Sequence, residues 1–184
     1  MTSLIIIAIL AALVIWAVSL YNRIITLENR YGNAWSQIDV QLKRRTDLVP
    51  NLVEIVKGYA SHEKGIFEEL AASRAAMMGA NSVAESAEAA NQMSAALGRL
   101  FAISENYPDL KANQNFMMLQ EELSAVENKI AYARQFYNDA VLQFNNAITT
   151  VPGVFLAGPM GKKPQVFLEI PETERQAPSV SFAS

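Results

Sequence analysis

The chain has 184 residues, enough for one domain and an anchor, since a domain takes about 100–200 residues. Its 15 basic and 18 acidic residues give a net charge of −3 and a pI near 5.2, without the basic excess that a general nucleic-acid binder carries. The lack of cysteine excludes disulfides, thiolate metal sites and a cysteine nucleophile.

Apolar residues make up 51% of the chain and the mean hydropathy is +0.12, an excess concentrated at the N-terminus. From Leu4 to Leu20 Ser19 is the one polar residue, and the first charge is Arg23. A bilayer core takes about 17–25 helical residues, so residues 1–21 read as a transmembrane anchor. Trp16, Tyr21 and Arg23 are placed as membrane-interface residues. Ala17-Val18-Ser19 resembles a small-x-small cleavage site, which makes a removed secretory signal the competing reading. Against it, Met1-Thr2-Ser3 lacks the lysine or arginine such a signal carries, and the helical pattern continues past Tyr21. Arg23 and Arg30 follow the span and nothing basic precedes it, which points the rest of the chain to the cytoplasm, with a periplasmic or extracellular domain as the alternative.

Residues 22–150 read as a helical bundle domain. Ile24, Leu27, Tyr31, Trp35, Ile38 and Leu42 recur at spacings of three and four, an apolar stripe that continues in phase through Val49, Leu52, Val56 and Tyr59. Trp35 is a core residue in this reading. Pro50 lacks a backbone donor and disfavours helix at Val49, so this helix either kinks there and ends near Gly58, or stops near Asp47 and restarts with Pro50 in a first turn. The unbroken phase favours the kink. A second helix carries Ile66, Phe67, Leu70 and Met77 or Met78, with Ser61 as N-cap and Gly79-Ala80-Asn81 as its stop. A third runs from about Val83 through Met93 and Leu97 to Phe101, and the alanine and methionine of these two suit a close hairpin. Asn106-Tyr107-Pro108-Asp109 is a turn, and a last long helix follows from about Leu110 to Ile148, with Phe136 or Tyr137 on its inward stripe.

Residues 151–184 read as an extended tail, because Pro152, Pro159, Pro164, Pro171 and Pro178 exclude regular helix. Its runs Val154-Phe155-Leu156 and Val166-Phe167-Leu168 are expected to be extended. In an up-and-down bundle the last helix returns to the membrane, which places Phe155, Leu156, Lys162 and Lys163 at the bilayer interface unless the apolar runs cover the end of the bundle.

Catalytic chemistry is not visible. His62 is the only histidine and stands at a turn, so the paired Glu-x-x-His motifs of di-iron bundles cannot be built, and Gly-rich phosphate loops and nucleophile elbows are missing. Glu121, Glu122 and Glu127 read as a solvated helix face. The densest polar cluster runs from Gln37 to Asp47, where Lys43, Arg44, Arg45 and Asp47 form either intramolecular ion pairs or a docking patch for a partner or lipid headgroups. No cofactor, metal or catalytic residue is expected.

The segment NAWSQIDVQLKRRTDLVPNLVEIVKGYASHE, Asn33 to Glu63, resembles the signature of the LemA family of bacterial membrane proteins. QEELSAVENKIAYARQFYNDAVLQFNNAI, Gln120 to Ile148, is similar to the second signature, including Arg134, Tyr137, Asn138 and Asn145, and the tail LAGPMGKKPQVFLE to the C-terminal segment. Val151, where relatives have an aromatic residue, and Pro159 depart from that pattern. The resemblance implies an N-terminal membrane helix in the bacterial inner membrane followed by an antiparallel four-helix bundle, with no established enzymatic activity. It also implies the company of HtpX-type membrane zinc metalloproteases, near which such proteins are often encoded, and a link to magnetosome membrane formation in one branch. The leading expectation is a non-enzymatic, membrane-anchored scaffold that recruits a protein partner or self-associates. The alternative is a membrane-remodelling or lipid-binding protein whose helices and tail contact the bilayer.

Overall fold

The computed structural model describes residues 1–169, and Pro171 and Pro178, expected to break helix in the tail, lie outside them. Among the described residues the chain is all helical: α1 (Thr2–Tyr59), α2 (Lys64–Gly79), α3 (Val83–Ser104), α4 (Pro108–Lys111), α5 (Gln114–Thr149) and α6 (Val154–Ala157).

α1 is one helix, with Pro50 inside it. Neither a stop at Asp47 nor a restart at Pro50 occurs. Pro50 removes the donor that would bond the Thr46 carbonyl, but its ring lies on the exposed face while Val49, Leu52 and Val56 are buried on the other, and that burial outweighs one lost hydrogen bond. The stripe ends at buried Ala60 rather than at Tyr59, which is exposed.

Helix boundaries follow local chemistry. Ser61 is in an exposed turn and does not cap α2, whose N-cap position is Glu63. Ser82 caps α3 by accepting from the Glu85 amide, while the Glu85 carboxylate accepts from the Asn81 amide at 2.7 Å. The segment after Tyr107 is not the direct start of the long helix: α4 intervenes, and α5 begins where Asn113 Oδ1 accepts from the Phe116 amide.

Two compact units divide the chain. The first contains Met1–Asp39 and Ala131–Phe167, the second Val40–Ile130 with Leu168 and Glu169. In the second unit α2 packs on α3, and a core of Val49, Leu52, Val56, Leu70, Met93, Leu100, Leu110, Phe116 and Leu123 draws on α1 to α5. Met77 packs against this core and Met78 is exposed. In the first unit Ile24, Phe144, Ile148 and Ala157 form a smaller core with Leu27, Tyr31, Leu156 and Met160 around it. Tyr137 rather than Phe136 is buried there, edge-on to the half-buried Trp35 at 6.0 Å between ring centroids.

The residues from Leu4 to Trp16, and Val18, are exposed along α1, which is long and apolar enough to cross a membrane. With nothing among the described residues covering them, these side chains belong in lipid, and the chain is a single-pass membrane protein.

The tail departs from the extended expectation over its first stretch. Val154 to Ala157 form the short helix α6, because Pro152 falls before its first turn, where a missing donor costs nothing, and the Ala157 amide bonds the Gly153 carbonyl at 2.9 Å. Lys163 to Glu169 have no regular structure.

Candidate functional site

The cluster from Lys43 to Asp47 separates into buried and exposed members. Arg45 is 0% exposed and cannot touch a partner. Its Nη1 donates to the Glu127 carboxylate and, at 2.8 Å, to Ser94 Oγ, and its Nη2 donates to the Ala90 carbonyl at 3.0 Å. Burying a guanidinium without such partners would cost several kcal/mol, roughly. Glu127 and Glu122 are therefore only partly solvated and are committed to ion pairs, Glu122 accepting from Arg44 at 2.7 Å, while Glu121 is exposed. The sequence held a signal for Arg45: it lies three residues after Leu42 and four before Val49, inside the apolar stripe. Lys43 and Asp47 are exposed and pair at 3.6 Å. With Arg44 and the exposed Val40 they occupy positions i, i+3, i+4 and i+7, one outward face of α1.

Trp16, Tyr21 and Arg23 are exposed at the end of the apolar span. Just beyond it, in the first unit, lies a cleft of about 280 Å³ lined by Leu20, Arg23 and Leu27 of α1, Gln143, Asn146 and Ala147 of α5, and Thr150 to Gly153. Gly153 closes it for a steric reason, since a Cβ there would stand 1.8 Å from the Ala147 carbonyl oxygen. Arg30 donates to Gln143 Oε1 at 2.9 Å and lies over the Phe136 ring.

Tail residues placed at the bilayer interface behave differently from one another. Leu156 packs into the smaller core, so it is not free for lipid, because Ile24 and Ile148 offer it apolar cover. Lys162 bonds Glu28 at 2.5 Å and is half-buried, so its charge is already met within the protein. Phe155 and Lys163 are exposed, and Val151 and Val154 stand exposed beside Phe155. Further on, Asn145 Nδ2 donates to the Gln165 carbonyl at 2.9 Å and its Oδ1 accepts from the Gln165 amide at 2.8 Å, while the Tyr137 hydroxyl approaches the Val166 carbonyl. The family-signature residues Tyr137 and Asn145 thus hold the tail. Arg134 is buried, and its Nη1 has no hydrogen-bond partner among the described residues.

Three tyrosines are held above the usual pKa near 10. Burial raises Tyr137, burial and the nearby Glu28 charge raise Tyr31, and donation to the Glu63 carboxylate at 3.1 Å raises Tyr107. Among the described residues no group of three or more histidine, aspartate or glutamate side chains could hold a metal ion.

Comparison with known proteins gives relatives at modest identity. The chain is 26% identical over 178 residues to magnetosome protein MamQ 1 of Paramagnetospirillum magneticum and to magnetosome protein MamQ of Magnetospirillum gryphiswaldense, covering 82% of this chain and 65% of each relative. It is 27% identical over 130 residues to protein LemA of Metamycoplasma hominis, covering 70% of this chain and 59% of that relative. The chain thus spans somewhat under two thirds of the length of these relatives. The profile of the LemA family matches residues 34–182, from the outward turns of α1 through the tail, and on that match the chain belongs to the LemA family.

Proposed function

We propose that this LemA family protein is a non-enzymatic, membrane-anchored scaffold of the bacterial inner membrane, in which an antiparallel four-helix bundle on the cytoplasmic side presents docking faces to a protein partner. The observation that carries this reading is the continuity of α1, which passes from the lipid-exposed stretch into packed residues without a loop. A flexible linker would suit a tethered enzyme sampling substrate; an unbroken helix suits a protein whose work is to hold something at a set place. Two relatives are named magnetosome proteins, which supports a role in organising a membrane compartment.

The docking face is Val40, Lys43, Arg44 and Asp47, with Arg45 excluded by its burial. An exposed valine among charges of both signs fits a polar-rimmed protein contact. The candidate partner is a membrane protein such as an HtpX-type metalloprotease, or a second copy of the chain. The test is photocrosslinking in cells from a probe at position 40, with Lys43→Glu and Asp47→Lys as competitors. A discrete crosslinked neighbour that both variants abolish is the expected result. A monomeric protein in detergent with no neighbour captured from position 40 would remove the scaffold reading. Protease protection of a C-terminal tag tests the cytoplasmic placement.

A further inference from the structure

The cleft beside the membrane span has the chemistry of a headgroup site. Arg23 lies two residues past Tyr21, about 3 Å along the helix from the end of the apolar stretch, which puts it at headgroup depth. Among the described residues no carboxylate pairs with it, and no acidic side chain lines the cleft. Arg30 engages the Gln143 oxygen, which leaves the amide nitrogen as the free donor. Thr150 Oγ1 donates its hydrogen to the Asn146 carbonyl at 2.7 Å, so toward a ligand it can only accept. A guanidinium and amide donors meet a phosphodiester, and a hydroxyl acceptor meets the hydroxyls of a polyol headgroup.

We propose that this cleft holds the phosphodiester headgroup of a membrane glycerophospholipid, with Arg23 on the phosphate and Gln143, Asn146 and Thr150 around the headgroup. The volume, about 280 Å³, falls just below the range of roughly 300–1,000 Å³ typical of small-molecule pockets, and suits a headgroup whose acyl chains stay outside. Those chains have apolar contacts waiting: Leu20 belongs to the span, and Val151 and Phe155 at the α5–α6 corner are 74% and 72% exposed. A soluble anion would use the donors but not this rim, which is why the ligand is a lipid rather than free phosphate. The inference shares with the scaffold reading only the anchor, and its failure would leave the Val40 face untouched.

Native mass spectrometry of the full chain in mild non-ionic detergent tests it, with phosphatidylglycerol and a diacylglycerol of the same acyl chains as probes. Phosphatidylglycerol is expected to stay bound and diacylglycerol to leave. Arg23→Gln should lower phosphatidylglycerol retention about tenfold, the loss of one charge-assisted contact at a partly wet site. Asn146→Leu should lower it severalfold with the net charge unchanged, so a nonspecific charge effect cannot explain both. Equal retention of the two lipids, or wild-type retention in both variants, would overturn the proposal. So would displacement of the lipid by millimolar glycerol phosphate, which would mark a site for soluble anions.

Discussion

Arg45 and Glu127 meet across the second unit with the guanidinium wholly enclosed and the carboxylate about one-third exposed. The pair is asymmetric: water reaches the acid and never the base. Arg45 also satisfies Ser94 and the Ala90 carbonyl, so one side chain of α1 ties together α3 and α5. A buried ion pair of this sort adds little net stability against an apolar pair of similar volume, yet removing one partner strands the other.

Glu127→Ala is therefore expected to destabilise the protein by about 3 kcal/mol, at the lower end for a broken buried pair because Glu127 is partly hydrated. Replacing both residues, Arg45→Met with Glu127→Leu, should recover most of that loss. Urea unfolding of the detergent-solubilised chain followed by circular dichroism reads both. A single variant as stable as the parent would mean that Ser94 and the Ala90 carbonyl suffice to hold Arg45.

The Gly153 position tolerates no side chain. Gly153→Ala must push α6 away from the Ala147 carbonyl, at a cost of about 1–3 kcal/mol as in other overpacked sites. Hydrogen exchange should quicken in 154–168 ahead of the rest of the chain. Unchanged protection there would show that the backbone relaxes without undocking α6.

Asn145 contributes two hydrogen bonds to one tail residue, a donor and an acceptor to Gln165. Asn145→Asp keeps the acceptor and loses the donor, and Asn145→Ala loses both. At about 1 kcal/mol per bond the aspartate should cost roughly half of what the alanine does. Limited proteolysis within 160–169 should rank the three proteins in that order, and equal cleavage rates would show that the tail is held by other contacts.

Stability should fall at high pH. Tyr31, Tyr107 and Tyr137 are all raised in the folded protein, so folding favours their protonated form. A group whose folded pKa is raised contributes stability fully below its unfolded pKa, about 10 for tyrosine, and loses it as pH climbs through the folded value. Chemical unfolding between about pH 9 and 12 should show this decline, and Tyr137→Phe should make it shallower. An identical slope in the variant would remove Tyr137 from the explanation.

Much of the helical plan was legible because it depends on periodic apolar burial: the stripe from Ile24 to Val56 and that from Phe116 to Ile148 are buried nearly as spaced. What escaped was governed by single contacts. The alternatives for Arg45, an intramolecular ion pair or a docking residue, resolve to the ion pair, but its full burial and its partner Glu127 on a distant helix are not given by the local cluster, only hinted at by its register on the stripe. The break between α4 and α5 depends on one cap at Asn113, and α6 on the room that Gly153 gives beside Ala147, neither of which carries a periodic signal. The cleft assembles Arg23 with Gln143, Asn146 and Thr150, residues more than a hundred positions apart, which no local pattern connects.

The uninterrupted course of α1 also fixes an angle. A helix advances about 100° per residue, so the direction in which Trp16 faces the lipid determines the direction in which Ile24 and Tyr31 face α5. One alanine inserted after Tyr21 would swing everything downstream by about 100° around the helix axis, and two by about 200°, without lengthening the helix by more than a few ångströms. Anything that grips the span from within the bilayer and twists it would thereby turn the first unit as a key turns its bit.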